Sequence, residues 1–297
     1  MNYEIKPGRL EVFLSPAEEG ITLQEFYNNL SIPVKKQKNL NARINRVQVR
    51  DLSAILHAGD ILTLPIDSED VDYAPAEEEC PVLYEDDFVY IVHKDAGMLV
   101  HDGFERTDTL AAQAARYQIN HGIHAPVRFI HRLDTETTGL MLFVKIPLFQ
   151  AWYDKQLMQK QIHREYLAIC HGKMRPGQNF TFSDPIGRDR HVSGKYRISD
   201  TGKEAITHVH CLARLGELAL LRCTLDTGRT HQIRVHLSAH KHPIINDPLY
   251  GVPDTTYPGM CLWADRITFR NPLTLEEHTV EDTPQKQYKE FMKKARR

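Results

Sequence analysis

The chain of 297 residues has no CxxC pair: its five cysteines, Cys80, Cys170, Cys211, Cys223 and Cys261, are scattered. That spacing excludes a disulfide framework and a thiolate metal site, and it reads as a reduced, intracellular protein. Neither sign of charge dominates, the formal net charge being −2, so no overall basic character advertises nucleic acid. Any RNA contact must come from local patches. No stretch approaches the roughly 18 apolar residues of a membrane span. MNYEIKPGRLEVFL lacks the charged start and apolar run of a signal peptide. A cytoplasmic location without membrane attachment is expected. Internal repeats and low-complexity tracts are missing too, which excludes repeat architectures. What is present is an ordinary globular composition, 41% hydrophobic, enough for one large domain with a small partner.

The clearest boundary is IDSEDVDYAPAEEEC, residues 66–80, acidic and poor in large apolar side chains, which reads as a solvated linker. It divides a small unit, residues 1–72, from a larger one, residues 73–297. In the small unit TLQEFYNNL has helical spacing, and AGDILTLP places a turn before a short strand. Between them VKKQKNLNARINRVQVR is distinctly basic. Such a run is commonly a solvated face, and contact with RNA phosphates is the more specific meaning. In the large unit FVYIVHK, RFIHRLD, GLMLFVK, REYLAICHG, ITHVHCLARL and LALLRCTL predict strands, being short, branched or aromatic, and bounded by turn residues. TLAAQAARYQIN, FQAWYDKQLMQKQI and THQIRVHLSAH predict helices. Strands outnumber helices and often follow one another directly. An α+β fold on a mixed, mostly antiparallel central sheet with flanking helices is therefore expected.

Two segments carry most of the chemistry, HRLDTETTGL around Asp134 and TGRTHQIRVHL with Arg229 and Arg234. Each sets an ionisable residue beside opposite charge and near glycine, as a pocket for a reactive carboxylate requires. Asp134 falls where RFIHRLD meets a turn, so its carboxylate can project from a strand end into a cleft. On an extended strand Arg132 shares its face, free either to pair with the aspartate or to reach a ligand. Arg229 and Arg234 sit near a helix start, where they could hold a phosphate and a carboxylate. The competing meaning for both segments is an ion pair with no chemistry. His231, His236, His240 and His242 raise a metal-site hypothesis, since His236 and His240 have the spacing of two ligands on one helix face. No glutamate follows His236 as in a metalloprotease motif and no third ligand is marked, so polar and capping roles are expected. Lys94 and Gly97, in VHKDAGMLV, are expected to shape a turn near the cleft.

Taken in order, HRLDTETTGLMLFVK, REYLAICHG, DPIGRD, GKEAITHV, TGRTHQIRVHL and HPIINDPLYG resemble the RluA-type family of pseudouridine synthases, over roughly residues 81–271. The resemblance implies isomerisation of uridine to pseudouridine within ribosomal or transfer RNA, by a monomer and with no cofactor or metal. It makes Asp134 the catalytic aspartate, Tyr166 the tyrosine that stacks on the base and assists proton removal, and Arg234 the partner of Asp134. Leu262 would pack against the uracil. Arg132 would fill or hold the gap left by a flipped base, with His131 and Arg229 as further substrate contacts. Breaking a glycosidic bond suits an ionised carboxylate that either attacks the sugar carbon or takes a neighbouring sugar proton. Asp95, Arg164 and Trp263 depart from the family pattern, which has proline, lysine and histidine there. INRVQV and AGDILTL are similar to a small ribosomal-protein-like RNA-binding module. An RNA-binding or ribosome-assembly factor that keeps the fold without the chemistry is the alternative; intact Asp134, Tyr166 and Arg234 favour the enzyme.

Overall fold

A computed structural model of the chain describes residues 1–66, 69–283 and 285–295. In the first of these segments β1 (Asn2–Lys6) and β2 (Arg9–Phe13) form a hairpin. There follow α1 (Leu23–Asn29), α2 (Val34–Gln37), β3 (Arg43–Ile44), β4 (Val47–Gln48) and β5 (Ile61–Pro65). The strands form one sheet in the order β1-β2-β5-β3-β4. Helix α1 begins at TLQE because Thr22 accepts from the Glu25 N–H while the Glu25 carboxylate takes the Thr22 N–H, a reciprocal cap.

The remainder runs β6 (Val82–Glu85), β7 (Val89–Lys94), α3 (Leu110–Asn120), β8 (Thr138–Val144), α4 (Gln150–Met158), β9 (His163–His171) and β10 (Asn179–Phe182). The chain continues through β11 (Ile186–Arg188), β12 (Tyr196–Ile198), β13 (Thr207–Leu215), β14 (Leu218–Leu225) and α5 (Gln232–Ala239). It closes with β15 (Leu262–Arg270), β16 (Glu277–Glu281) and α6 (Lys286–Ala295). Among the described residues nine strands make one sheet, ordered β10-β13-β14-β9-β15-β8-β7-β6 with β16 on β15. Only β15 and β8 are parallel, so the sheet is mixed and mostly antiparallel. At that parallel crossing a Cβ on Gly139 would stand 2.2 Å from the Ala264 carbonyl oxygen, and only glycine admits the approach.

Period-two alternation sorts the side chains of β7 and β8 into two cores. Tyr90, Val92, Met141 and Phe143 face α3 and α6, whereas Val89, Ile91, Leu140, Leu142 and Val144 face α4 and the N-terminal unit. That unit is fixed to the sheet. The Tyr3 ring meets Phe88 edge-on at 5.1 Å, its hydroxyl donates to Asp87 at 3.0 Å, and the Met1 ammonium donates to the Leu273 carbonyl oxygen at 3.2 Å.

Two expectations are corrected. The acidic segment is coil but is not solvated along its length: Tyr73, Ala76 and Cys80 are buried, and Asp72 pairs with Arg128 at 2.7 Å. Arg116, on α3, donates to the Ala76 carbonyl oxygen at 2.7 Å, so the segment is tied to the domain at points while Glu77, Glu78 and Glu79 stay exposed. Asp67 and Ser68, also in that segment, lie outside the described residues. The second correction is RFIHRLD, which is no strand. Phe129 makes a lone bridge to Phe143 on β8. Farther along, β15 occupies that edge of β8 at Thr138 and Gly139, so residues 131–134 have no strand to pair with. Arg132 and Asp134 therefore sit on a loop, not on one strand face.

Candidate active site

The loop gains its rigidity from neighbours. Leu133 is anchored in the core, and the Thr137 N–H donates to the Asp134 carbonyl oxygen at 3.1 Å, closing a turn. Lys94 has no exposed surface and spends its ammonium on the carbonyl oxygens of Asp95, Met98 and Thr135, at 2.8, 2.8 and 2.9 Å. Burial pulls the Lys94 amine down to about 8. Gly97, at φ +80°, adds an N–H donated to the Thr135 carbonyl oxygen at 2.9 Å. Both residues thus shape the turn beneath the Asp134 loop.

Across from this loop α5 presents Arg234. Its guanidinium forks onto Asp247, Nε to Oδ2 at 2.7 Å and Nη2 to Oδ1 at 2.8 Å, and turns Nη1 to Asp134 Oδ2 at 3.0 Å. The Asp247 side chain is entirely buried and that of Arg234 nearly so, whereas Asp134 keeps 23% of its side-chain surface open. Burial works against the Arg234 charge, but Asp247 and then Asp134 overcome it and hold the guanidinium above its ordinary range. Asp247 Oδ1 also takes the N–H groups of Leu249 and Tyr250, at 2.9 and 3.1 Å, which fixes the fork. Sequence reasoning gave Asp247 no role, although it lies in HPIINDPLYG.

The two arginines near the α5 start are engaged differently. Arg234 is engaged by two aspartates, while Arg229 is half-buried and its Nε donates to the Glu204 carbonyl oxygen at 2.8 Å. His231 precedes α5 at φ 58°, bonds the Tyr250 hydroxyl at 2.9 Å, and places Nε2 at 3.9 Å from Asp134 Oδ2. Burial lowers its pKa, against the pull of Asp134. The other histidines of the cluster are engaged elsewhere. His236 meets Thr207 and the Asp184 carbonyl oxygen, His240 the Asp184 carboxylate, and His242 the His171 carbonyl oxygen. Among the described residues no group of three His, Cys, Asp or Glu side chains is arranged for a metal.

These groups surround a cavity of about 1040 Å³ between the Asp134 loop, β9, β14, the start of α5 and the head of β15. Tyr166 and Leu262 wall it from β9 and β15, both almost fully buried, and burial raises the Tyr166 phenol. Arg132 is exposed at the rim, its Nη1 at 3.3 Å from His101 Nε2. His131 lines the wall with both ring nitrogens sealed and unpartnered; burial first, then Arg164, lowers its pKa to about 3 and leaves the ring neutral. A carboxylate beside a fixed guanidinium, facing an aromatic ring and an aliphatic wall, can act on a group held against that ring.

Comparison with known proteins agrees with this geometry. The RNA pseudouridylate synthase family model matches residues 88–239. The RNA pseudouridine synthase YhcT of Bacillus subtilis is 34% identical over 288 residues, 93% of either chain. Ribosomal large subunit pseudouridine synthase D of Xylella fastidiosa is 35% identical over 217 residues, 72% of this chain and 64% of that one. Among solved structures, human RNA pseudouridylate synthase domain containing 1 has the same fold, with a TM-score of 0.57 at 24% identity over 70% of this chain and 84% of that one. The chain belongs to the RluA-type family of RNA pseudouridine synthases and converts uridine to pseudouridine in RNA.

Proposed function

We propose that this synthase modifies ribosomal RNA, as the names of several relatives say of those proteins, with Asp134 as its catalytic group. The observation that carries the assignment is the Asp134–Arg234 pair at 3.0 Å, facing a cavity walled by Tyr166 and Leu262. Asp134 breaks the sugar–base bond, by attack on the sugar carbon or removal of a neighbouring sugar proton. Arg234 keeps that carboxylate aimed. Tyr166 stacks on the base and removes the ring proton after reattachment, and Leu262 packs on the uracil from the adjacent strand. Arg132, exposed and bonded to His101, takes the place of the flipped base. Arg229 contacts the backbone at the mouth, and His131 supports the wall as a neutral ring.

Residues 1–72 form the RNA-binding unit and residues 73–297 the catalytic domain. Lys35, Lys36, Lys38, Arg43, Arg46 and Arg50 are all exposed, and among the described residues none is in an ion pair, which suits phosphate contact. The enzyme works as a cytoplasmic monomer without cofactor.

The test is single-turnover pseudouridine formation on RNA from a strain lacking the gene. Asp134→Asn is expected to bind that RNA and form no product, and Tyr166→Phe to bind and stall after bond cleavage. Near-normal product from Asp134→Asn would remove Asp134 as the catalytic residue.

A further inference from the structure

Burying a cation is costly unless acceptors or an anion compensate it. The cavity arginines meet that demand unequally. Arg234 has two carboxylates and Arg229 a carbonyl oxygen. Arg164 is partly buried, yet among the described residues it forms no ion pair, and its Nε is sealed from solvent without an acceptor.

Position says which part of an RNA it would meet. Arg164 lines the cavity and projects from the same face of β9 as Tyr166, two residues and ~7 Å along the strand. In the register with β15, Arg164 lies opposite Ile267, whereas Leu262 lies opposite Ala168, on the other side of Tyr166. Arg164 is therefore displaced from the Tyr166–Leu262 wall toward Lys160, Leu225 and Gly228. Its guanidinium lies against Gly228, both Nη atoms 3.6 Å from where a Cβ there would stand. A guanidinium that is partly buried, in no ion pair among the described residues and about one nucleotide from the base site suits a two-pronged oxyanion.

We propose that Arg164 clamps a backbone phosphate flanking the uridine held at Tyr166, and so fixes the register of the RNA strand in the cavity. The proposal rests on Tyr166 and Asp134 being the reacting centre. A phosphate contact of this kind carries no base identity but positions the nucleotide. The charge is what matters, so lysine in its place keeps the role and an apolar isostere loses it.

The experiment titrates a fluorescent single-stranded oligouridylate with wild-type protein, Arg164→Met and Arg164→Lys at several salt concentrations. Single-turnover pseudouridine formation on unmodified cellular RNA and a thermal melt accompany each variant. Arg164→Met is expected to weaken binding about tenfold, the scale of one charged hydrogen bond. It should also flatten the slope of log K against log salt by ~0.7, one single-strand phosphate. Arg164→Lys should retain the slope. Unchanged affinity and slope in Arg164→Met would overturn the clamp, whether accompanied by slower turnover at saturating RNA, which places the residue at the base, or by a lower Tm, which makes it structural. Absence of pseudouridine from the wild type would instead refute the isomerase reading, while the binding arm still judges the clamp.

Discussion

Asp247→Asn removes one negative charge from a carboxylate with no exposed surface, while the amide oxygen can still accept from Leu249 and Tyr250. What disappears is the two-pronged hold on Arg234. Breaking one partner of a buried ion pair costs roughly 3–5 kcal/mol. Asp134, at 3.0 Å from Nη1, still compensates part of the stranded charge, which places the cost near the lower bound, about 3 kcal/mol. At about 2–4 °C per kcal/mol for a domain of this size, Tm should fall by roughly 6–12 °C. Asp247 does not line the cavity, so its effect on turnover acts through the aim of Arg234 and Asp134. A displacement on the order of 1 Å there should slow single-turnover pseudouridine formation about 100-fold, with RNA affinity preserved. Differential scanning calorimetry and a rapid-quench assay on the same preparation measure both. An unchanged Tm together with a normal rate would refute the hold of this fork on Arg234.

Arg132→Ala should slow modification and leave Tm nearly unchanged, because the side chain is exposed and among the described residues its one hydrogen-bond partner is His101 at 3.3 Å; a drop of many degrees with normal turnover would make it structural. His93 bonds Asp282 at 2.6 Å, and that contact raises its pKa. A raised folded-state pKa contributes stability that is complete below the unfolded value of ~6.5 and is lost as pH rises through the folded value. Thermal melts from pH 6 upward should therefore decline more steeply for the wild type than for His93→Gln, and parallel curves would refute the linkage. The salt slope of RNA binding should shrink when Lys35, Lys36, Arg43 and Arg46 become glutamine, by ~0.9 for each duplex phosphate no longer neutralised. Substitution is the cleaner perturbation there, since deleting the unit would uncover Val89, Ile91 and Leu142; an unaltered slope would take this face off the RNA.

Much of the catalytic unit was legible because its information is local. Short runs of branched and aromatic residues bounded by turn residues placed β7, β8, β9, β13 and β14, and apolar spacing placed α3, α4 and α5, since both are properties of a few consecutive residues. Asp134 and Arg234 lie a hundred residues apart, and only the fold sets Arg234 Nη1 at 3.0 Å from the Asp134 carboxylate. Other features depend on what lies alongside. RFIHRLD has the composition of a strand, yet β15 claims the edge of β8 that it needed. The acidic segment reads as solvated, but Arg116 on α3 and Arg128 in the loop before β8 tie it down. Asp247 carries no local mark, because its meaning is the guanidinium it forks, and Arg164 none, because its meaning is the partner it lacks. Sequence by itself determined which residues could fold and which could react. Only the tertiary structure decided which charges were satisfied, since burial and pairing are properties of neighbours brought from far along the chain.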